Sequence, residues 1–351
     1  MKKILLILII FISTGCTNFN ELNDLAITAG LYINKNNNQY EVGVEILKGE
    51  KGKDEMVEDK MIIKDTCNII DECFNKISNK ISKTIYLPHT KVIIIDNNIG
   101  NDKKELQNAL DYIYREIDLR TNCVIAIYEG DTYKLFSNKD YLEKIASTQI
   151  YKTLNSHNVK SYSLDLFVIN SLIKSSSSFI PVIKENNNQI IIDSLNIYKD
   201  FKFIKNINED KNEYLLLTNN IYSMNIVLEC AENKYITMDA YNVSSNKKIL
   251  DKHNIDINVS IKAKIDTYEC SNDLKNINTF NDLNEYIKNK YKEVLENKIN
   301  NIGKDNINID KLLYQKGYNP NGDYNYKINV KFDIAKKGMI NNGFTTEGKF
   351  K

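Results

Sequence analysis

The chain has 351 residues, of which 42% are hydrophobic and 26% charged, so disorder is excluded as the default state and there is length for two or three domains with real cores. Its 47 Lys and Arg residues stand against 46 Asp and Glu, a balance that exerts no long-range pull on nucleic acid, and no basic run flanks an aromatic patch. The abundance of Lys, Asn and Ile without any Trp reads as genomic base composition and carries no chemistry.

The N-terminus carries the strongest local signal. Lys2-Lys3 is a positive start, Ile4 to Ile12 is an unbroken apolar stretch, and Ser13-Thr14-Gly15 places small residues before Cys16. As a helix that stretch spans about 14 Å against roughly 30 Å of hydrocarbon, so cleavage between Gly15 and Cys16 is expected, not a permanent span. The pattern has the form of a lipobox, with Ser13 where an aliphatic residue is usual. Residues 1–15 are therefore assigned to a signal peptide and Cys16 to the lipid-anchored N-terminus of a bacterial lipoprotein. The bland alternative is an ordinary signal peptide with a coincidental cysteine. Two acyl chains on Cys16 suffice for stable anchoring. No later stretch approaches the roughly 18 apolar residues of a spanning helix.

Leu25 to Tyr32 and Tyr40 to Leu47 read as strands joined at Asn36-Asn37-Asn38, opening the fold with a hairpin. From Asp65 to Ile85, the spacing of Ile70, Cys73, Phe74, Ile77 and Ile81 predicts a helix. Five of the six cysteines remain once Cys16 is set aside, an odd number that implies no disulfide framework. Within the expected helix, Cys67 and Cys73 are separated by about 9 Å of rise. That exceeds the roughly 7 Å Cα limit for a bridge, so both are expected to be unbridged, buried and apolar in role.

Lys91 to Asp96 contains Val92-Ile93-Ile94-Ile95, a strand buried on both faces. A helix capped by Asp102 follows, with Leu106, Leu110, Ile113 and Ile117 on its apolar face, and then the run Cys123 to Tyr128. Strand, helix and strand at this spacing make a βαβ unit. Helices are expected at Tyr141 to Thr148 and Leu164 to Lys174, the second ending at a loop or boundary, Ser175 to Ser178.

Strands dominate next, at Phe179 to Ile183 and Ile190 to Ile197 around Asn186-Asn187-Asn188, then at Tyr214 to Leu217, Asn225 to Glu229, Tyr235 to Tyr241 and Ile255 to Ile265. Asp282 to Ile302 returns to helical spacing, Ile309 to Gln315 offers a second helix, and Tyr324 to Ile334 closes as an alternating strand. Lys247-Lys248 and Lys336-Lys337 read as solvated turn residues. The fold class is mixed, α+β, and the body divides into an N-terminal α/β domain at 16–178, a β-rich middle at 179–250 and a C-terminal α+β domain at 251–351.

No chemistry-bearing motif is present. His89, His157 and His253 lie far apart and give no zinc-site spacing. Neither phosphate-cradling glycine loop nor a nucleophile elbow occurs. Asp323 after Asn319-Pro320-Asn321-Gly322 is a polar turn without the downstream ligands of a calcium loop. No catalytic, cofactor-binding or metal-ligating residues are assigned. Tyr314, Tyr318, Tyr324 and Tyr326 cluster late in the chain, where packing accounts for them better than a ligand surface.

Glu21-Leu22-Asn23-Asp24-Leu25-Ala26-Ile27-Thr28-Ala29-Gly30-Leu31, directly after the anchor, resembles the start of mature spore germination receptor C subunits, the Ger(x)C lipoproteins. His89-Thr90-Lys91-Val92-Ile93-Ile94-Ile95, with the helix through Leu110 and the run Cys123 to Tyr128, is similar to that family's N-terminal domain. Lys327 to Ile334 with Gly338-Met339-Ile340 is similar to its closing strand. The family's Trp-Asp after the lipidated cysteine is replaced by Thr17-Asn18, and its C-terminal tryptophan segment has no counterpart.

The resemblance implies a non-enzymatic subunit of a spore nutrient-germinant receptor, at the outer face of the spore inner membrane, in contact with integral-membrane A and B subunits. It also implies a three-domain mixed α/β body and supplies no catalytic residues. A solute-binding lipoprotein of a transporter is the alternative, which requires two lobes around a cleft.

Overall fold

The computed structural model describes residues 24–335, apart from 37, 52–55, 116–118, 156–158, 271–272, 275–276, 278 and 321. The opening hairpin forms as the alternation dictates: β1 (Leu25–Asn36) and β2 (Gln39–Lys51) pair antiparallel, with Asn38 at φ 67° supplying the left-handed turn. A third strand, β3 (Met56–Cys67), pairs along β2. Its charged stretch around Asp59, Lys60, Lys64 and Asp65 hides it in the sequence, because an edge strand tolerates charge that a central strand does not.

The expected helix from Asp65 to Ile85 is therefore shorter. Helix α1 occupies Ile70–Lys80, buries Ile70, Cys73, Phe74 and Ile77, and gives way to β4 (Thr84–Tyr86). Because Cys67 ends a strand and only Cys73 is helical, their Cα atoms are 5.3 Å apart and the two form a disulfide, against the expectation from helical rise. A second bridge joins Cys230 to Cys270, so the disulfide framework that an odd count seemed to exclude exists, with Cys123 left free and buried.

The βαβ unit is present. β5 (Val92–Asp96) and β6 (Val124–Tyr128) run parallel from Val92↔Val124 to Asp96↔Tyr128. Between them lie the short α2 (Asn97–Asn101) and α3 (Lys103–Arg115). Asp102 caps α3 by accepting from the amides of Lys104 and Glu105 at 2.8 and 3.0 Å. Leu106, Leu110 and Ile113 are buried as expected, while Ile117 lies outside the described residues.

After β6 come α4 (Thr132–Ser137), α5 (Ala146–Asn155) and α6 (Leu164–Leu172). The helix expected over Tyr141 to Thr148 thus begins five residues later. Ser175 to Ser178 is no boundary, because β7 (Ser177–Asn186) starts within it and Ser176, Ser177 and Ser178 are buried. β7 pairs parallel with β6 and antiparallel with β8 (Gln189–Lys199), which pairs with β9 (Lys202–Ile207). The first sheet therefore has the order β3-β2-β1-β5-β6-β7-β8-β9, with β4 paired to β1.

One face of this sheet packs on α1, α3 and α6, and the other on α4 and α5. Gly30 of β1 and Glu45 of β2 are register partners at a bulge on the second face, under the start of α5. A Cβ on Gly30 would meet the Ser147 side chain and lie 3.0 Å from the Phe136 ring. Gly30→Ala is expected to lower stability by about 1–3 kcal/mol, seen as a reduced urea midpoint with an unchanged slope. An unchanged midpoint would show that α5 yields without cost.

The segment Tyr214 to Leu217 is not a strand but the end of α7 (Lys211–Leu217). All four of those residues are buried, so no periodicity remains to distinguish helix from strand. The second sheet follows, in the order β10 (Met224–Ala231), β11 (Lys234–Ile249), β12 (Asn254–Tyr268) and β13 (Asn325–Ile334). Helix α8 (Phe280–Ile302) crosses between the parallel pair β12 and β13. It packs Leu283, Ile287, Tyr291, Leu295 and Ile299 into the core, while the opposite sheet face stays open.

A short 3-10 turn (Lys304–Ile307) and α9 (Ile309–Gln315) lead into β13. The segment 179–250 forms no sheet of its own, since β7 to β9 extend the first sheet and β10 and β11 begin the second.

Candidate functional site

Cys16 and Gly15, the residues of the expected anchor, lie outside the described residues, as do His157 and Lys336-Lys337. The remaining histidines are separate: His89 packs against the Tyr86 ring, and His253 Nδ1 lies 3.0 Å from the Asp323 carbonyl oxygen. Among the described residues no group of three or more His, Cys, Asp and Glu is placed to hold a metal ion. Tyr324 is buried, Tyr326 half-buried, and Tyr314 and Tyr318 are exposed, so the late tyrosines share no single surface.

The carboxyl ends of parallel β5 and β6 open on a polar recess of about 480 Å³, where sheets of this kind usually bind ligands. Three of its four acids, Glu41, Asp96 and Asp131, are engaged in holding the fold. Asp96 accepts from the amides of Ile99 and Lys35 at 2.8 and 2.9 Å, and burial pushes its carboxyl above the ordinary value. Glu41 pairs with Lys64 at 2.8 Å, and Asp131 caps α4 through the Lys134 amide.

A different arrangement lies at the seam between the sheets, where α7 is wedged. Asn308, in a left-handed conformation at φ 66°, accepts from the Ser177 amide at 2.7 Å and from the Ser176 hydroxyl. Lys199 pairs with Asp305 at 2.7 Å, and Lys298 with Asp210 at 2.6 Å. These bonds and the continuous apolar core across the seam fix the sheets to each other.

Lys247 is not a solvated turn residue: it sits in β11, half-buried, and its Nζ donates to the Leu217 carbonyl at the end of α7. Lys248 beside it is exposed on the same strand. Burial pulls the Lys247 ammonium down to about 8. Since the unfolded chain holds that proton more tightly, folding gains stability as pH rises from about 8 toward the ordinary lysine value. The gain is at most about 3 kcal/mol. Urea midpoints at pH 7.5 and 10 should therefore rise more for the wild type than for Lys247→Met. Parallel pH dependences would contradict this placement.

Beside α7 is a cavity of about 300 Å³ with apolar walls from Leu215, Ile221 and Met224 and polar ones from Tyr162, Asn212, Ser223 and Asn225. Lys211 enters it from the first sheet's side and Asp239 from β11. Lys211 Nζ donates to the carbonyls of Ile192 and Asp193 at 3.0 and 2.8 Å, and burial lowers its pKa. Sequence reasoning missed both residues. Lys211 fell between expected strands, and Asp239 is one acid among 46 acidic residues.

On the outside, α6 is mostly apolar, its polar residues being Asp165, Asn170 and the buried Ser171. Leu164, Phe167 and Val168 face the core, whereas Leu166, Ile169 and Leu172 are 41%, 48% and 70% exposed. A helix of this composition is normally enclosed. Among the described residues no helix is long and apolar enough to cross a membrane.

Two family profiles match the chain, "Spore germination protein N-terminal domain" over residues 18–185 and "Spore germination B3/GerAC like, C-terminal" over 193–341. The break between them falls at the β7/β8 turn. YfkR of Bacillus subtilis (strain 168), assigned provisionally to spore germination, is 24% identical over 214 residues, or 56% of this chain and 55% of the relative. Spore germination protein KC of the same strain is 25% identical over 166 residues, or 44% and 40%. The chain spans about half the length of the curated relatives it matches. The crystal structure of the GerBC protein aligns over 87% of this chain and 96% of its own, at 17% identity and a TM-score of 0.48.

Proposed function

The chain belongs to the GerAC-like family of spore germination proteins, and from that premise we propose that it is the lipid-anchored subunit of a nutrient-germinant receptor. In this reading Cys16 carries the anchor, the folded body lies at the outer face of the spore inner membrane, and it acts by contact with integral-membrane A and B subunits. Its part is non-enzymatic.

The observation that carries the placement is the pair of disulfides, Cys67–Cys73 and Cys230–Cys270. Such bridges persist in oxidising surroundings outside the cytoplasm and are rare within it. They agree with the export signal at Lys2 to Gly15. The open face of α6 supports action by contact, since contiguous exposed apolar surface marks interaction sites.

The test is genetic. Deleting the gene is expected to abolish or slow the germination response to one nutrient class while leaving spore yield unchanged. An unchanged response to every nutrient tested, in a strain also lacking paralogous receptors, would refute the reading. One observation favours the solute-binding alternative, the cavity at the seam. In that case the chain would co-purify with a transporter, and germination would be unaffected by its loss.

A further inference from the structure

The open face of α6 continues onto α9. Lys311 Nζ donates to the Asn170 side chain at 3.2 Å, and Lys174 Nζ lies 4.9 Å from the centre of the exposed Tyr314 ring. Tyr318, also exposed, follows in the turn after α9.

Both helices lie at the edge of the first sheet where its parallel strands begin. The amides of Leu164 and Asp165, opening α6, donate to the carbonyls of Cys123 and Thr121, just before β6. Asn308, which leads into α9, accepts from the Ser177 amide at the start of β7. Gly30 of β1 is level with the starts of β5 and β6, so residues 25–29 project from the same edge. Nine residues lead from Cys16 to Leu25, and a chain of that length reaches at most about 30 Å. A lipid on Cys16 therefore keeps this edge close to the membrane.

The charge around the face fits phospholipid. Arg120, Lys174 and Lys316 are exposed and Lys311 is half-buried. Asp165 is the one acid of α6, and Asp310 of α9 lies on the Lys199 and Tyr324 side. Lysine is depleted at protein–protein interfaces, whereas aliphatic residues rimmed by tyrosine and lysine suit the boundary of acyl chains and anionic headgroups.

We propose that this edge rests on an anionic phospholipid surface, with Leu166, Ile169 and Leu172 among the acyl chains and the basic side chains at the headgroups. The inference rests on the anchored reading and goes beyond it by fixing which side of the body meets the membrane.

The chain contains no Trp, so an introduced Trp is its sole indole emitter. The test reconstitutes the full acylated chain, carrying Leu172→Trp, Ile169→Trp or Tyr133→Trp, in vesicles of phosphatidylglycerol and phosphatidylethanolamine with plain or brominated acyl chains. All three positions are exposed, so the variants keep the fold, and Tyr133 lies in α4, beyond the opposite end of β6. Bromine is expected to quench Leu172→Trp and Ile169→Trp at least about twofold and to leave Tyr133→Trp unquenched. On chain shown by flotation to be vesicle-bound, no quenching at positions 172 and 169, or equal quenching at all three, would overturn the proposal and leave the receptor reading standing. Blue-shifted emission without quenching would put protein on the face instead of lipid and overturn it equally. A full chain without acyl groups on Cys16 would strike the anchored reading, and this inference with it.

Discussion

Replacing Cys230 and Cys270 together by alanine is expected to lower the unfolding free energy by roughly 4 kcal/mol, the loop-closure entropy of a bridge between residues 40 apart. The bridge ties the end of β10 to the chain leaving β12 and so staples the second sheet across β11. For a chain of this size the loss corresponds to a fall in Tm on the order of 10 °C. The same exchange at Cys67 and Cys73, only 6 residues apart, should cost about 2 kcal/mol. Thermal unfolding of the two double variants measures the contrast. A long bridge worth no more than the short one would show that the second sheet is held by its core alone.

Glu45→Ala is expected to cost about 3–5 kcal/mol, the range for stranding a buried charge. Glu45 is fully buried in β2, and its carboxylate accepts from the amides of Ala146 and Ser147, both at 2.9 Å, and from the Ser147 hydroxyl. It thereby satisfies the first free amides of α5 and lies at the positive end of that helix. Lys60 Nζ stands 3.4 Å away and also donates to the carbonyls of Phe136 and Asn138. Removing the carboxylate leaves two amides and a hydroxyl without their acceptor and the Lys60 ammonium without its counter-charge. Glu45→Gln should lose less, because the amide oxygen can still accept. Urea denaturation separates the variants, and a loss below about 1 kcal/mol for Glu45→Ala would mean that water replaces the carboxylate.

The Glu45 arrangement bears on why Gly30 falls within the segment that most resembles the family. Gly30 faces Glu45 across the hairpin and leaves the space that Ser147 occupies. The stretch Glu21 to Leu31 follows the proposed anchor, but its glycine is fixed by the docking of α5.

Elements with a clear period were legible in the sequence: the first hairpin, the βαβ unit around α3, the long α8 and the alternating β13. Where the period vanished, so did the reading. Tyr214 to Leu217 is buried on every side and reads as easily as a strand. β3 is masked by its charges, and that omission placed Cys67 in a helix and removed a disulfide. The serines at 175–178 resemble a linker, yet Asn308, more than a hundred residues away, satisfies two of them. Lys247 looked solvated because the carbonyl that receives it belongs to a distant helix. The anchor was the reverse case. It lies outside the described residues, and Lys2 to Cys16 reads as a processing signal from the sequence alone.

The cavity was illegible for the same reason as the seam bonds, as its lining residues, Lys211 and Asp239 among them, come together only when both sheets are in place. In the account proposed here, the fold does two things. A rigid seam couples the first sheet to the second, and the open α6 face is left for a neighbour at the membrane.

The most direct test of that account is affinity capture of the tagged chain from detergent-solubilised spore membranes, with mass spectrometry of the captured material. The account predicts an N-terminal peptide beginning at an acylated Cys16, together with two multi-span proteins present in amounts comparable to the chain. A captured chain that retains Met1 to Gly15, or that carries no acyl group and brings no multi-span protein with it, would contradict it.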